Sequence, residues 1–228
     1  MSHIFNDKDS INDFIVNFNK SAVPQLNGLI LCGGKSTRMG KEKGEIHYHG
    51  KSQRQHLSEL LAEHCQEVFV SYNTRPQTDL NNKHPFIEDT FLGLGPMGGI
   101  LSALQKHPEK AWLSIACDYP FVSAQTIKQL ISHRNPSKMA TAFYDAEGKF
   151  PEPLITIWEP RSYLYLLQLL SMGNSSLRKA LIYADAELIV IHNEQELFNS
   201  NTPEEYEDAL KLVKGQIKSL DIASQFLK

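Results

Sequence analysis

Long apolar runs are missing from this chain. No stretch approaches the ~20 consecutive apolar residues needed to span a bilayer, so no transmembrane helix and no membrane partner are expected. Cysteine is scarce: Cys32, Cys65 and Cys117 are the whole complement. An odd, scattered set is a poor disulfide framework and points to a reducing compartment, the cytoplasm. The absence of a CxxC pair argues against a structural zinc site. An excess of one charge is also missing, since Lys+Arg 23 against Asp+Glu 26 leaves a formal net charge of -3. That balance supplies no field for nucleic acid or an acidic membrane, though it allows a local basic pocket for phosphate. The opening SHIFNDKDS is charged and has no apolar core, which argues against a signal peptide. Internal repeats and low-complexity stretches are absent as well. What remains is a 228-residue chain with 41% hydrophobic residues, enough for one large α/β domain with a substantial core.

The periodicity divides the chain at about residue 26. Over Ser10–Asn19, Ile11, Phe14, Ile15 and Phe18 repeat at i, i+3, i+4 and i+7, with Ser10 and Asp13 at capping-box spacing. This predicts an amphipathic helix in an N-terminal extension, residues 1–26, which Pro24 interrupts. Residues 27–228 then alternate. Leu29–Cys32 reads as a buried parallel strand stopping at Gly33-Gly34. Strands are expected at Val68–Ser71, Phe86–Ile87, Trp112–Ala116, Thr141–Tyr144, Pro153–Ile157 and Leu188–Ile191. Helices are expected at Gln53–Cys65, from the Gly93–Gly99 stretch through Leu104, and at Gln125–His133, Tyr163–Leu170 and Ser176–Tyr183. Thr202-Pro203-Glu204-Glu205 is a helix start with Thr as N-cap, Pro next and Glu three after the cap. Strands alternating with helices predict a single-domain, Rossmann-like doubly wound α/β fold with a mostly parallel sheet. In such sheets ligands bind at the carboxyl ends of strands. Gly33-Gly34, Asn73, Asp89 and Asp118 each fall just after one.

Two formal motifs lack their context. Gly28–Ser36 reads GLILCGGKS but has five residues where a P-loop has four, and those residues are the strand itself. Gly93–Gly98 reads GLGPMG, a GxGxxG set several residues past a strand in mid-chain rather than in a first βαβ unit. His47 and His49 alternate along an expected strand and would share a face, but no third metal ligand lies nearby, so exposed strand histidines are expected there.

The segment Leu31–Lys43, LCGGKSTRMGKEK, carries the chemistry. A strand, paired glycines and a polar loop with Lys35, Arg38, Lys41 and Lys43 suit a triphosphate. Glycines let backbone N–H groups approach phosphate oxygens, and cations offset charge on leaving pyrophosphate. Extended through GEIHYHGKSQRQHL, the pattern resembles the opening signature of the molybdenum cofactor guanylyltransferases. The resemblance continues at Asn73, Glu88-Asp89, Gly95–Gly99, Cys117–Pro120, Glu152–Leu154 and Asn199–Glu204, and so spans roughly residues 27 to 213.

The resemblance implies a nucleotide-diphospho-sugar transferase type of fold that uses GTP and Mg²⁺. Leu31, Cys32, Gly33 and Gly34 would hold the guanine nucleotide, with Lys43 and Arg38 on its phosphates. Asn73 and Asp89 would contact the nucleotide, Asp89 at the base, and Asp118 would bind Mg²⁺. Arg38, Lys43 and Asp118 would be the catalytic set, and Asn201 would help hold the acceptor. The phosphate of molybdopterin would attack the α-phosphorus of GTP and release pyrophosphate, with no serine or cysteine nucleophile. Other proteins of cofactor biosynthesis are implied as further partners. The chain departs from the family pattern at Glu42, where Asp is usual, at Cys32, where Ala is usual, and in its N-terminal extension. CTP-using relatives carry LAAG in the first turn; CGG and GPMGG here are of the guanine type. The rival readings are a cytidylyl- or sugar-phosphate nucleotidyltransferase of the same fold, a non-catalytic nucleotide-binding regulatory protein, and an oxidoreductase resting on GLGPMG alone.

Overall fold

A computed structural model describes residues 23–32, 43–72 and 84–225. The helix expected over Ser10–Asn19 lies outside them. Among the described residues seven strands form one sheet: β1 (Leu26–Leu31), β2 (Val68–Tyr72), β3 (Phe86–Glu88), β4 (Ala111–Ala116), β5 (Ala140–Tyr144), β6 (Pro151–Trp158) and β7 (Ala186–Ile189). Their order is β3-β2-β1-β4-β6-β5-β7. All neighbours pair in parallel except β6, which is antiparallel to both β4 and β5. The α/β, mostly parallel expectation holds. Every residue of β2 and β4 is buried, which is why both read as continuous apolar runs without alternation.

Six helices accompany the sheet among the described residues: α1 (Gln53–Ala62), α2 (Pro96–Lys106), α3 (Ala124–Ser132), α4 (Ser162–Ser171), α5 (Leu177–Tyr183) and α6 (Pro203–Gln225). Side chains on a strand alternate between faces. Gly28 of β1 faces Leu61 of α1, whereas Leu31, an odd number of residues on, faces Gly99 of α2. The first two helices therefore cover opposite faces, as double winding requires. None of the helices is long and apolar enough to cross a membrane.

Local chemistry explains the helix starts. Ser52, Ser123 and Ser176 accept N–H bonds at the first turns of α1, α3 and α5. At α6 the capping box forms as the sequence predicts. Glu205 N–H donates to Thr202 Oγ1 at 3.2 Å, and Glu205 Oε2 accepts from Thr202 N–H at 2.9 Å and from Asn201 N–H at 2.7 Å. GLGPMG turns out to be a helix entry: Gly93 and Gly95 have φ of 78° and 58°, and Pro96 is the first residue of α2. Gly28 lies within β1, so the P-loop reading is excluded by structure as well as by spacing.

Two expectations need correction. The late strand is Ala186–Ile189 and not Leu188–Ile191, because its four residues pair with Ala140–Phe143 of β5. His47 and His49 do not share a strand. The segment makes only an isolated bridge, His47 to Ser52, across a turn where Gly50 has φ 74°. His49 instead stacks on His56 with ring centroids 3.8 Å apart.

Close packing around α2 gives a stability prediction. A Cβ on Gly98 would lie 2.3 Å from the Phe91 carbonyl oxygen, a backbone atom that cannot swing aside. Gly98→Ala is expected to cost about 1–3 kcal/mol, as overpacking does. Urea unfolding would show it as a lower midpoint at unchanged slope.

Candidate functional site

The strand order makes the site. From β1 the chain moves outward to β2 and β3, then returns to β4 on the other side of β1. The crevice between the carboxyl ends of β1 and β4 is thus a topological switch point, where open α/β sheets bind ligands. Leu31 is in register with Ala116 there, which sets Cys32 beside Cys117 and places Asp118 next along the chain. On the other side, Ser71 pairs with Leu31 and Tyr72 with Glu88, bringing Asp89 to the same rim. Because β6 runs antiparallel, its amino end returns to this rim, so Glu152 comes up beside the end of β4.

Of the residues singled out in the sequence, Leu31, Cys32, Asp89, Asp118 and Asn201 lie among the described residues, and the structure gathers them on one rim. Gly33, Gly34, Arg38 and Asn73, and the side chain of Lys43, lie outside the described residues. Lys43 opens a single 3-10 turn, Lys43–Glu45, whose Gly44 sits over Cys32 and Cys117.

Asp89 is buried. Its Oδ1 accepts the Ser71 hydroxyl at 2.6 Å, its N–H donates to Tyr72 O at 2.9 Å, and burial raises its carboxyl pKa. Gly99 makes this possible, because a Cβ there would stand 2.5 Å from Ser71 Oγ.

Around Asp118, three distant segments are joined. The Asp118 carbonyl accepts Ser200 N–H at 2.8 Å, and Tyr48 donates its hydroxyl to Ser200 Oγ at 3.1 Å. The segment preceding Asn201 is therefore fastened to the end of β4. The Tyr119 hydroxyl donates to Glu152 Oε1 at 2.8 Å. Gln53 Nε2 donates to Tyr119 O at 2.8 Å, and His49 Nε2 lies 2.9 Å from Pro120 O. Burial raises the pKa of both Glu152 and Tyr119. Burial and the neighbouring His49 lower His56 to about 4, so the stacked pair is neutral near pH 7. A smaller apolar cluster of Ile46, Tyr48, Phe121, Ala209 and Val213 packs α6 under this side of the rim.

Tyr119, Glu152, Ser71 and Arg54 are additions that sequence reasoning did not assign. Arg54 pairs with Glu45 at 2.6 Å, donates to the Tyr72 hydroxyl and stands over the Tyr72 ring at 5.8 Å. A signal existed for two of them, since Tyr119 adjoins Asp118 and Glu152 is a carboxylate opening a strand. Ser71 and Arg54 carry no local mark.

The rim holds two thiols and two clustered carboxylates, Asp118 and Glu152, with a third, Asp89, across β1. Among the described residues there is no group of three or more His, Cys, Asp or Glu that could hold a metal ion by itself. That composition suits a hard cation needing few protein ligands and the rest from substrate phosphates, as Mg²⁺ does.

The family model described as the MobA-like NTP transferase domain matches residues 28–188. A molybdenum cofactor biosynthesis bifunctional protein of Synechocystis sp. is 38% identical over 185 residues, 79% of this chain and 52% of that protein, so the chain spans about half that relative's length. A molybdenum cofactor guanylyltransferase of Pseudomonas entomophila is 27% identical over 81% of this chain and 97% of its own. Among solved structures, the molybdopterin-guanine dinucleotide biosynthesis protein A of Archaeoglobus fulgidus aligns with a TM-score of 0.70 at 19% identity, covering 84% of this chain and all of that one.

Proposed function

The chain belongs to the MobA-like NTP transferase family, and from that premise we propose that it transfers GMP from GTP to the phosphate of molybdopterin and releases pyrophosphate. The observation that carries this reading is that Cys32 and Asp118 meet at the switch point between β1 and β4, with Asp89 on the same rim across β1.

In this reading, backbone N–H groups from Leu31 through Gly34 meet the triphosphate, and Arg38 and Lys43 neutralise the phosphates that leave. Asn73 and Asp89 hold the guanine nucleotide. Asp118 would hold Mg²⁺, which would supply positive charge against the substrate phosphates. Asn201 steadies the acceptor, and Ser200, bonded to the Asp118 carbonyl, sets that segment against the strand end. The acceptor phosphate oxygen forms the new bond to the α-phosphorus as the bond to pyrophosphate breaks. Such a transfer needs alignment and charge stabilisation, not a covalent enzyme intermediate. Cys117, buried against Cys32, needs no role as a nucleophile.

Product identification after incubation with GTP, Mg²⁺ and molybdopterin tests the reaction. Base choice is tested by melting. At ~100 times its dissociation constant, GTP with Mg²⁺ is expected to add ~2.7 kcal/mol of apparent stability, with smaller effects from ATP and CTP at the same concentration. Equal shifts for all three nucleotides would remove the guanine assignment.

A further inference from the structure

We propose that Cys32 and Cys117 form an oxidation site on the floor of the switch-point crevice, taking a hydroperoxide as co-substrate and closing reversibly to a disulfide. The two sulfurs lie 2.9 Å apart, and both residues are free thiols. They follow the register pair Leu31 and Ala116 on neighbouring strands. Neighbouring strands run ~4.8 Å apart, inside the ~4.4–6.8 Å separation of Cα atoms that a disulfide bridges. Bond formation asks the sulfurs to close to about 2.05 Å.

The backbone leaves room for that movement. Cys32 N–H to Ser71 O and Cys117 N–H to Leu31 O are both 3.3 Å, long for backbone bonds, so the ladder is already loosening where the two residues sit. Gly44 lies across the pair; a Cβ there would stand 3.2 Å from Cys32 Sγ and 3.7 Å from Cys117 Sγ. The third cysteine cannot compete. Cys65 follows α1 at the opposite end of the sheet, where Gln66 N–H bonds Leu26 O.

Exposure fixes the order of events. Cys32 is half-buried and Cys117 only 3% exposed, so Cys32 meets the oxidant first. Its sulfur attacks the peroxide, the O–O bond breaks, and water or an alcohol leaves, giving a sulfenic acid. The Cys117 sulfur then displaces hydroxide from that sulfenic sulfur, and the Cys117 thiol proton leaves with it as water. Two thiols are oxidised and one peroxide is reduced. An external dithiol reverses the reaction by exchange. Cross-linking would draw the ends of β1 and β4 together beside Asp118. On the guanylyltransferase reading above, it therefore weakens binding of Mg²⁺–GTP.

Titration of the full-length wild-type protein with hydrogen peroxide tests this. The expected result is a mass loss of about 2 Da, a fall from three free thiols to one, and a peptide linking Cys32 to Cys117. A gain of about 32 Da on Cys32, a link through Cys65, or no change overturns the site. Calorimetry with Mg²⁺–GTP reads the consequence. Affinity should fall at least ~10-fold on oxidation, equal to about 1.4 kcal/mol, and return with dithiothreitol. Cys117→Ala should show neither the loss of about 2 Da nor the linked peptide under the same treatment. Undiminished GTP affinity in the disulfide form overturns the link to the nucleotide. Failure of the reduced protein to bind GTP sinks the guanylyltransferase reading instead, and leaves the disulfide judged by its mass.

Discussion

Asp118→Ala is expected to lower guanylyl transfer by about 100- to 1000-fold, the cost of removing one preorganised stabilising group from a transition state. The argument rests on position. Asp118 is the second residue beyond β4 and its first ionised side chain, at the switch point, and the substitution leaves its backbone where it is. The carbonyl that accepts Ser200 N–H at 2.8 Å is untouched, and so is the neighbouring Tyr119–Glu152 bond. The acceptor-side segment should therefore stay fastened, and the loss should fall on kcat. Asp118→Asn, which keeps the shape and discards the charge, should fall nearly as far. Pyrophosphate release with GTP, Mg²⁺ and molybdopterin measures the effect, and a melting curve shows that the fold survives. Turnover like the wild type in either variant would place the metal on another residue.

The layout of this site is partly legible in the sequence. Strand ends that stop at Cys32, Asp89 and Asp118 could be read because buried parallel strands are short apolar runs with abrupt polar ends. The same rule cannot say which ends lie side by side. That Asp118 neighbours Cys32, and that Glu152 returns to the same rim, depends on strand order and on the reversal of β6. Both are long-range pairings with no local trace. His47 and His49 misled for a related reason. Two-residue alternation looks like a strand, but Gly50 at φ 74° turns the chain, and His49 is taken up by stacking on His56. Capping chemistry was legible at Thr202–Glu205 because its bonds span only three or four residues.

The largest stability effect should come from the other end of the sheet. Glu159 is fully buried and receives Arg134 through Nε at 2.7 Å and a second guanidinium nitrogen at 2.9 Å. Arg134 also donates to Pro24 O at 2.8 Å, so one side chain ties the entry to β1, the end of α3 and the exit of β6 together. Taking two charges out of water is costly, and a well-packed apolar pair could serve as well here. Removing one partner is different, because it strands the other charge in the interior. Glu159→Ala should therefore cost about 3–5 kcal/mol. For a chain of this size that corresponds to roughly 6–20 °C in melting temperature, at about 2–4 °C per kcal/mol. The double replacement Arg134→Met with Glu159→Leu should recover most of the loss, since neither charge then remains. Transfer activity measured well below the melting point should stay near the wild type in the double variant, because Arg134 and Glu159 lie across the sheet from Asp118. A single variant that melts within 2 °C of the wild type, less than about 1 kcal/mol, would show the pair to be dispensable.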